Sequence, residues 1–139
     1  MVKDTDTISI SISGTLPCVP FLDLKNKILG KKYNLSIAFV SPAIAQNLNI
    51  KYRNKNYVPN TLSFQLSKNS GEIILCRSVL RKQYKKFNMN YEKYLTFISI
   101  HSMLHLKGFK HGSTMENEEK KLLIFFSKKT NETKNNSRD

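Results

Sequence analysis

A chain of 139 residues with 40% hydrophobic content is long enough to bury one core and too apolar to remain disordered. Its formal net charge of +13, from 23 lysines and arginines against 10 acids, points to a polyanionic partner. The N-terminal Met1-Val-Lys-Asp-Thr-Asp lacks a signal peptide's apolar core, and no apolar run reaches membrane-spanning length, so a cytoplasmic protein without membrane contact is expected.

Thr7–Ser13 alternates Ile8, Ile10 and Ile12 with serines, the period of a half-buried strand, and Gly14 and Pro17 break it. Phe21–Leu29 predicts a short amphipathic helix with Leu22, Leu24 or Lys25, and Ile28 at helical spacing, closed by Gly30. Leu35–Val40 is a second strand. Ser41-Pro42 then starts a helix, a hydroxyl cap followed by proline at the first helical position, and it runs toward Tyr52. Lys51, Arg53 and Lys55 form a basic exit from that helix, and Pro59-Asn60 turns the chain into a strand from Thr61. A hairpin turn at Lys68–Gly71 leads to the strand Glu72–Cys76. Cys18 and Cys76 form no CxxC, so buried reduced thiols rather than a disulfide are expected.

Ser78–Phe87 predicts a helix with Arg77, Arg81 and Lys85 on one side. From Leu24 to Tyr91 the only acid is Glu72, which makes this region the natural place for a polyanion; Lys51, Arg53, Lys55, Arg77 and Arg81 are its candidate contacts. Asn90 caps the next helix. Tyr94, Leu95, Phe97, Ile98, Ile100, Met103, Leu104 and Leu106 make that helix apolar nearly all round, which predicts a buried central element. Glu116–Phe126 predicts a last helix, and residues 127–139, which contain no apolar residue, a disordered polar tail. The order β-α-β-α-β-β-α-α-α predicts one α+β domain over residues 1–126: a small mixed sheet packed with helices, one of them central.

All three histidines fall in His101-Ser-Met-Leu-His105-Leu-Lys-Gly108-Phe-Lys-His111. Residues four apart share a helix face, so His101 and His105 can reach one cation at roughly 2.0–2.1 Å from each nitrogen. Gly108 can end the helix in the left-handed conformation, letting His111 return as a third ligand. Three protein ligands leave one tetrahedral position open, the arrangement of a catalytic divalent site, with zinc the expected ion. Zinc peptidases place glutamate directly after the first histidine; here Ser102 stands there, which argues against proteolysis.

His101–His111 resembles the HGxLHLxGxDH signature of the YbeY family of metal-dependent endoribonucleases, departing at Ser102 (usually glycine) and Lys110 (usually aspartate). Asn49, Tyr52, Arg53, Lys55, Asn60, Leu62, Ser63 and Phe64 resemble that family's N-x-x-Y-R-x-K-x-x-x-T-[ND]-V-L-S-F segment, with the Thr-Asn pair displaced or inverted as Asn60-Thr61. Gly71–Cys76 resembles its GD-I-x-I-C strand. The resemblance implies single-strand-specific cleavage in ribosomal RNA maturation and ribosome biogenesis, with RNA of the small ribosomal subunit as partner. It also implies that Arg53 takes the place of the family's functional arginine, alongside His101, His105 and His111 as catalytic residues. The alternative is a non-catalytic RNA-binding assembly factor with a structural metal.

Overall fold

The computed structural model describes residues 8–11 and 19–136. Four strands, β1 (Ile8–Ser11), β2 (Asn34–Phe39), β3 (Thr61–Ser67) and β4 (Ser70–Leu75), form one mixed sheet in the order β1-β2-β4-β3. The first two pairings are parallel and β3 runs antiparallel to β4. Among the described residues five α-helices accompany them: α1 (Phe21–Ile28), α2 (Pro42–Arg53), α3 (Arg77–Gln83), α4 (Tyr91–Lys107) and α5 (Ser113–Asn136). This is the expected α+β arrangement with a central helix. Thr7, Ile12, Ser13 and Cys18 lie outside the described residues.

Local chemistry sets the boundaries. The Ser41 hydroxyl accepts the Ile44 N–H at 3.3 Å and the Asn90 side chain accepts the Lys93 N–H at 2.8 Å, each satisfying an orphan donor of a first helical turn. Lys68-Asn69 makes a two-residue hairpin loop between β3 and β4. The helix expected over Ser78–Phe87 is shorter than its pattern: α3 ends at Gln83 and the chain tightens into a 3-10 turn over Tyr84–Phe87. Asn88, in the left-handed conformation at φ 54°, ends that turn before the chain enters α4. At the other end of the chain, α5 continues past Phe126 to Asn136, so the expected start of the tail falls within a helix.

Side chains alternate along the strands. Leu35 and Ile37 of β2, with Ile73 and Leu75 of β4, are buried in one cluster with Leu95, Ile100, Met103 and Leu104 of α4. α1 and α5 pack on α4 from other sides, supplying Phe21, Leu24, Ile28, Met115, Leu122 and Phe126 to the same core. Leu22, expected on the buried face of α1, is instead exposed; Lys25 is fully buried in its turn. The lysine's ammonium donates to the Gly30 and Lys31 carbonyls at 3.3 and 3.0 Å, so its aliphatic stem packs while its charge closes the helix C-terminus. Cys76 is buried and free. Among the described residues no helix is long and apolar enough to cross a membrane.

Gly71 on β4 lets the sheet approach α4. A Cβ there would collide with the Tyr33 hydroxyl and lie 3.1 Å from a Leu106 methyl. Tyr33 is itself held by Gln65, to which its hydroxyl donates at 3.3 Å. Gly71→Ala is expected to lower unfolding free energy by about 1–3 kcal/mol through overpacking. In a Tyr33→Phe background the same substitution should cost less, because the colliding atom is gone; denaturant titration of the four proteins checks both points.

Candidate metal centre

α4 is buried on nearly every side, and the two histidines project from its C-terminal half into a cleft of about 690 Å³. The helix ends in a Schellman motif: Gly108, at φ 112°, donates its N–H to the His105 carbonyl, and Phe109 donates to the Leu104 carbonyl, both at 3.0 Å. The turn carries His111 back. Its ring centroid lies 5.2 Å from that of His101 and 4.6 Å from that of His105. One nitrogen from each of the three rings falls within 4.8 Å of the others.

The hydrogen bonds around these rings fix their tautomers. The Phe109 carbonyl, delivered by the same turn, lies 3.1 Å from His105 Nδ1. The Glu119 carboxylate, from α5, contacts His101 Nδ1. A carbonyl and a carboxylate accept, so both Nδ1 atoms carry the proton and both Nε2 atoms present lone pairs. Those Nε2 atoms face each other 3.1 Å apart. Two ligands on a tetrahedral ion at about 2.05 Å sit about 3.3 Å apart, so this spacing fits a shared cation. Two facing lone pairs repel, and a cation between them removes the conflict. Burial, and next the repulsion that two protonated rings at His105 and His101 would feel, push the His105 imidazole below its ordinary pKa, against the opposing effect of the Phe109 bond; the shift favours the neutral form that a ligand must have.

Glu119 is the residue that sequence reasoning missed. It is only 6% exposed although its neighbours Glu116 and Glu118 are not buried. A signal was present: Met115, Glu119, Leu122 and Phe126 recur at helical spacing on the apolar stripe of α5, and an acid inside such a stripe needs a partner. Lys110, which replaces the acid expected beside the third histidine, is exposed, and the carboxylate that orients a ligand comes from another helix instead.

Arg53 ends α2 and lines the same cleft as the histidines. Its guanidinium donates to the Asn49 side-chain oxygen at 3.2 Å. Asn49 is fully buried and donates in turn to the Tyr57 carbonyl at 3.0 Å, tying the arginine to the loop that enters β3. The other candidate cations are not brought into the cleft. Lys51 and Lys55 are exposed beside Arg53 and outside the lining, Lys51 resting over the Tyr52 ring. Arg77 and Arg81 lie over Phe39 and Tyr91, at 4.6 and 5.7 Å from the ring centroids.

Ser102, standing where the signature has glycine, is fully buried. Its hydroxyl donates to the Ile98 carbonyl at 2.9 Å and therefore accepts from the Thr61 hydroxyl, also at 2.9 Å. Ser63 donates to the Ser102 carbonyl at 3.3 Å. The helix that carries the histidines is thus pinned to β3.

Known proteins bear on this arrangement. Residues 18–132 match the family described as Endoribonuclease YbeY. A protein of that name from Buchnera aphidicola is 33% identical over 116 residues, covering 73% of each chain. One from Bdellovibrio bacteriovorus is 34% identical over 82 residues, 58% of this chain; that match spans 55% of the relative's length. The solution structure of the Thermotoga maritima protein TM1509 superposes with a TM-score of 0.62 at 25% identity, over 90% of this chain and 93% of the other.

Glu119→Ala is expected to weaken divalent-metal binding about 10- to 100-fold while leaving all three ligands in place, as loss of a ligand-orienting carboxylate does. Glu119→Gln, which can still accept from His101, should lose less. Competition against a chromophoric chelator measures both, and wild-type affinity in the alanine protein would remove Glu119 from the centre.

Proposed function

This chain belongs to the YbeY family, and from that membership we propose that it is a metal-dependent endoribonuclease acting on single-stranded RNA. The observation that carries the reading is one cleft that holds three converging imidazoles and the Arg53 guanidinium. His101, His105 and His111 would hold one divalent ion, zinc by its preference for nitrogen ligands in a tetrahedral site. When bound, such an ion supplies Lewis acidity toward a phosphodiester oxygen or an attacking water.

The remaining work falls to this chain's own side chains. Arg53 presents a planar fork of donors to phosphate oxygens, and its charge offsets the negative charge that grows there as the bond breaks. Asn49, itself held by the Tyr57 carbonyl, anchors one arm of that guanidinium at the edge of the cleft it lines. Glu119 and the Phe109 carbonyl hold the Nδ1 protons of His101 and His105, so neither ring turns its proton toward the ion. The net charge of +13 supplies affinity for the strand, with Lys51, Lys55, Arg77 and Arg81 acting outside the cleft. We assign the biological role to ribosomal RNA maturation in the cytoplasm, with RNA of the small ribosomal subunit as partner. The family resemblance supports that role, and the basic surface agrees with it.

Arg53→Ala should lower the cleavage rate of an unstructured RNA about 100- to 1,000-fold while metal content and fold persist. Binding should fall far less, since many cations share it. Arg53→Lys should also be slow, because an ammonium keeps the charge but loses the fork. Rates measured on the metal-loaded proteins decide the matter: cleavage by Arg53→Ala at the wild-type rate removes the arginine from the mechanism. Inertness of the metal-loaded wild type on ribosomal RNA would favour a non-catalytic assembly factor.

A further inference from the structure

The 3-10 turn after α3 ends in a phenylalanine that the proposed chemistry does not use. Phe87 lines the cleft and leaves 50% of its surface in water. Its ring stacks on Tyr94, 5.0 Å between centroids and 22° between planes. Tyr94 is a rigid base for it, 1% exposed, its hydroxyl donating to Gln83 at 3.0 Å, while Asn60 donates to the same Gln83 oxygen at 3.1 Å. The row of rings continues inward. Phe97 follows at 6.4 Å from Tyr94, and His101 at 6.5 Å from Phe97. An aromatic wall therefore leads from the surface to a metal-ligating imidazole, in the cleft that also holds Arg53.

Exposed rings are common, and most need no explanation. Tyr52 sits edge-on against Phe64, and Phe125 lies beneath the Lys27 ammonium; neither lines the cleft. Tyr57 is as exposed and also lines the cleft, but no ring stacks beneath it among the described residues; Phe87 has a supported ring, a half-open surface and a place in the same cleft as a cation suited to phosphate. A flat apolar surface sharing a cleft with a phosphate-binding group matches one ligand chemistry, a nucleobase attached to a backbone phosphate. Only an unpaired base offers its face, because in a duplex both faces are covered by stacked neighbours.

Resting on the endoribonuclease reading above, we propose that Phe87 is the stacking platform for an unpaired base of the bound RNA, in the same cleft as the phosphate at Arg53, and so sets the preference for single strands. Stacking of this kind binds substrate and transition state alike, so it appears in KM rather than kcat.

The test uses the metal-loaded full chain and a short unstructured RNA, with and without one abasic nucleotide at successive positions. Phe87→Leu keeps the apolar volume and loses the π face; it should raise KM roughly fivefold to a hundredfold with kcat nearly unchanged. Phe87→Tyr should match the wild type. One abasic position should weaken wild-type binding by a similar factor and have little further effect on Phe87→Leu. A 2-aminopurine at that position should be quenched by the wild type and not by Phe87→Leu, while Phe125→Leu should leave every readout unchanged. Wild-type KM in Phe87→Leu, or an abasic effect of equal size in both proteins, overturns the platform alone. If the wild type neither binds nor cuts RNA, the enzymatic reading falls and the platform falls with it.

Discussion

The centre depends on where one helix stops. α4 carries His101 and His105 on adjacent turns, but a pair of imidazoles on a straight helix is only half of a binding site. At Gly108 the backbone takes a φ of 112°, a value a side chain would strain, and the helix ends there rather than a turn later. That single reversal does two things. It brings the Phe109 carbonyl onto His105 Nδ1, fixing the tautomer, and it returns His111 to the pair. The third imidazole and part of the outer support for the other two thus come from one short turn at the end of a buried helix.

A buried helix is a sound base for a site because its side chains have nowhere else to go. α4 packs against the sheet, α1 and α5, and the Thr61–Ser102–Ser63 contacts fix its position relative to β3. Arg53 reaches the same cleft from a different layer, and it is tied down through a fully buried amide. Elements from two layers therefore meet at one cleft, each with its functional side chain tied to a buried partner.

Much of this was legible in the sequence because the relevant interactions are local. The caps at Ser41 and Asn90, the hairpin loop at Lys68-Asn69, the helix stop at Gly108 and the i, i+4 histidines are all decided by neighbours in the chain. What escaped was set by how helices rotate and pack. Leu22 turned outward, while Lys25, which the helical spacing had offered as an alternative to Leu24, is buried together with it, its ammonium reaching two carbonyls past the helix end. Glu119 looked like one acid among several until the docking of α5 singled it out. Arg77 and Arg81 stood with Arg53 among the candidate contacts of a basic run, and only the family resemblance set Arg53 apart; they rest on aromatic rings outside the cleft. Charge shows in composition; direction does not.

The contact between Ser102 and Thr61 ties together two positions that are 41 residues apart in the chain. Their hydroxyls meet at 2.9 Å where the central helix packs on the strand. Removing either hydroxyl alone leaves the other facing hydrocarbon where it had a partner, whereas removing both leaves an apolar contact with neither oxygen stranded. What position 102 tolerates is therefore set by what stands at position 61, and the two positions answer to substitution as one.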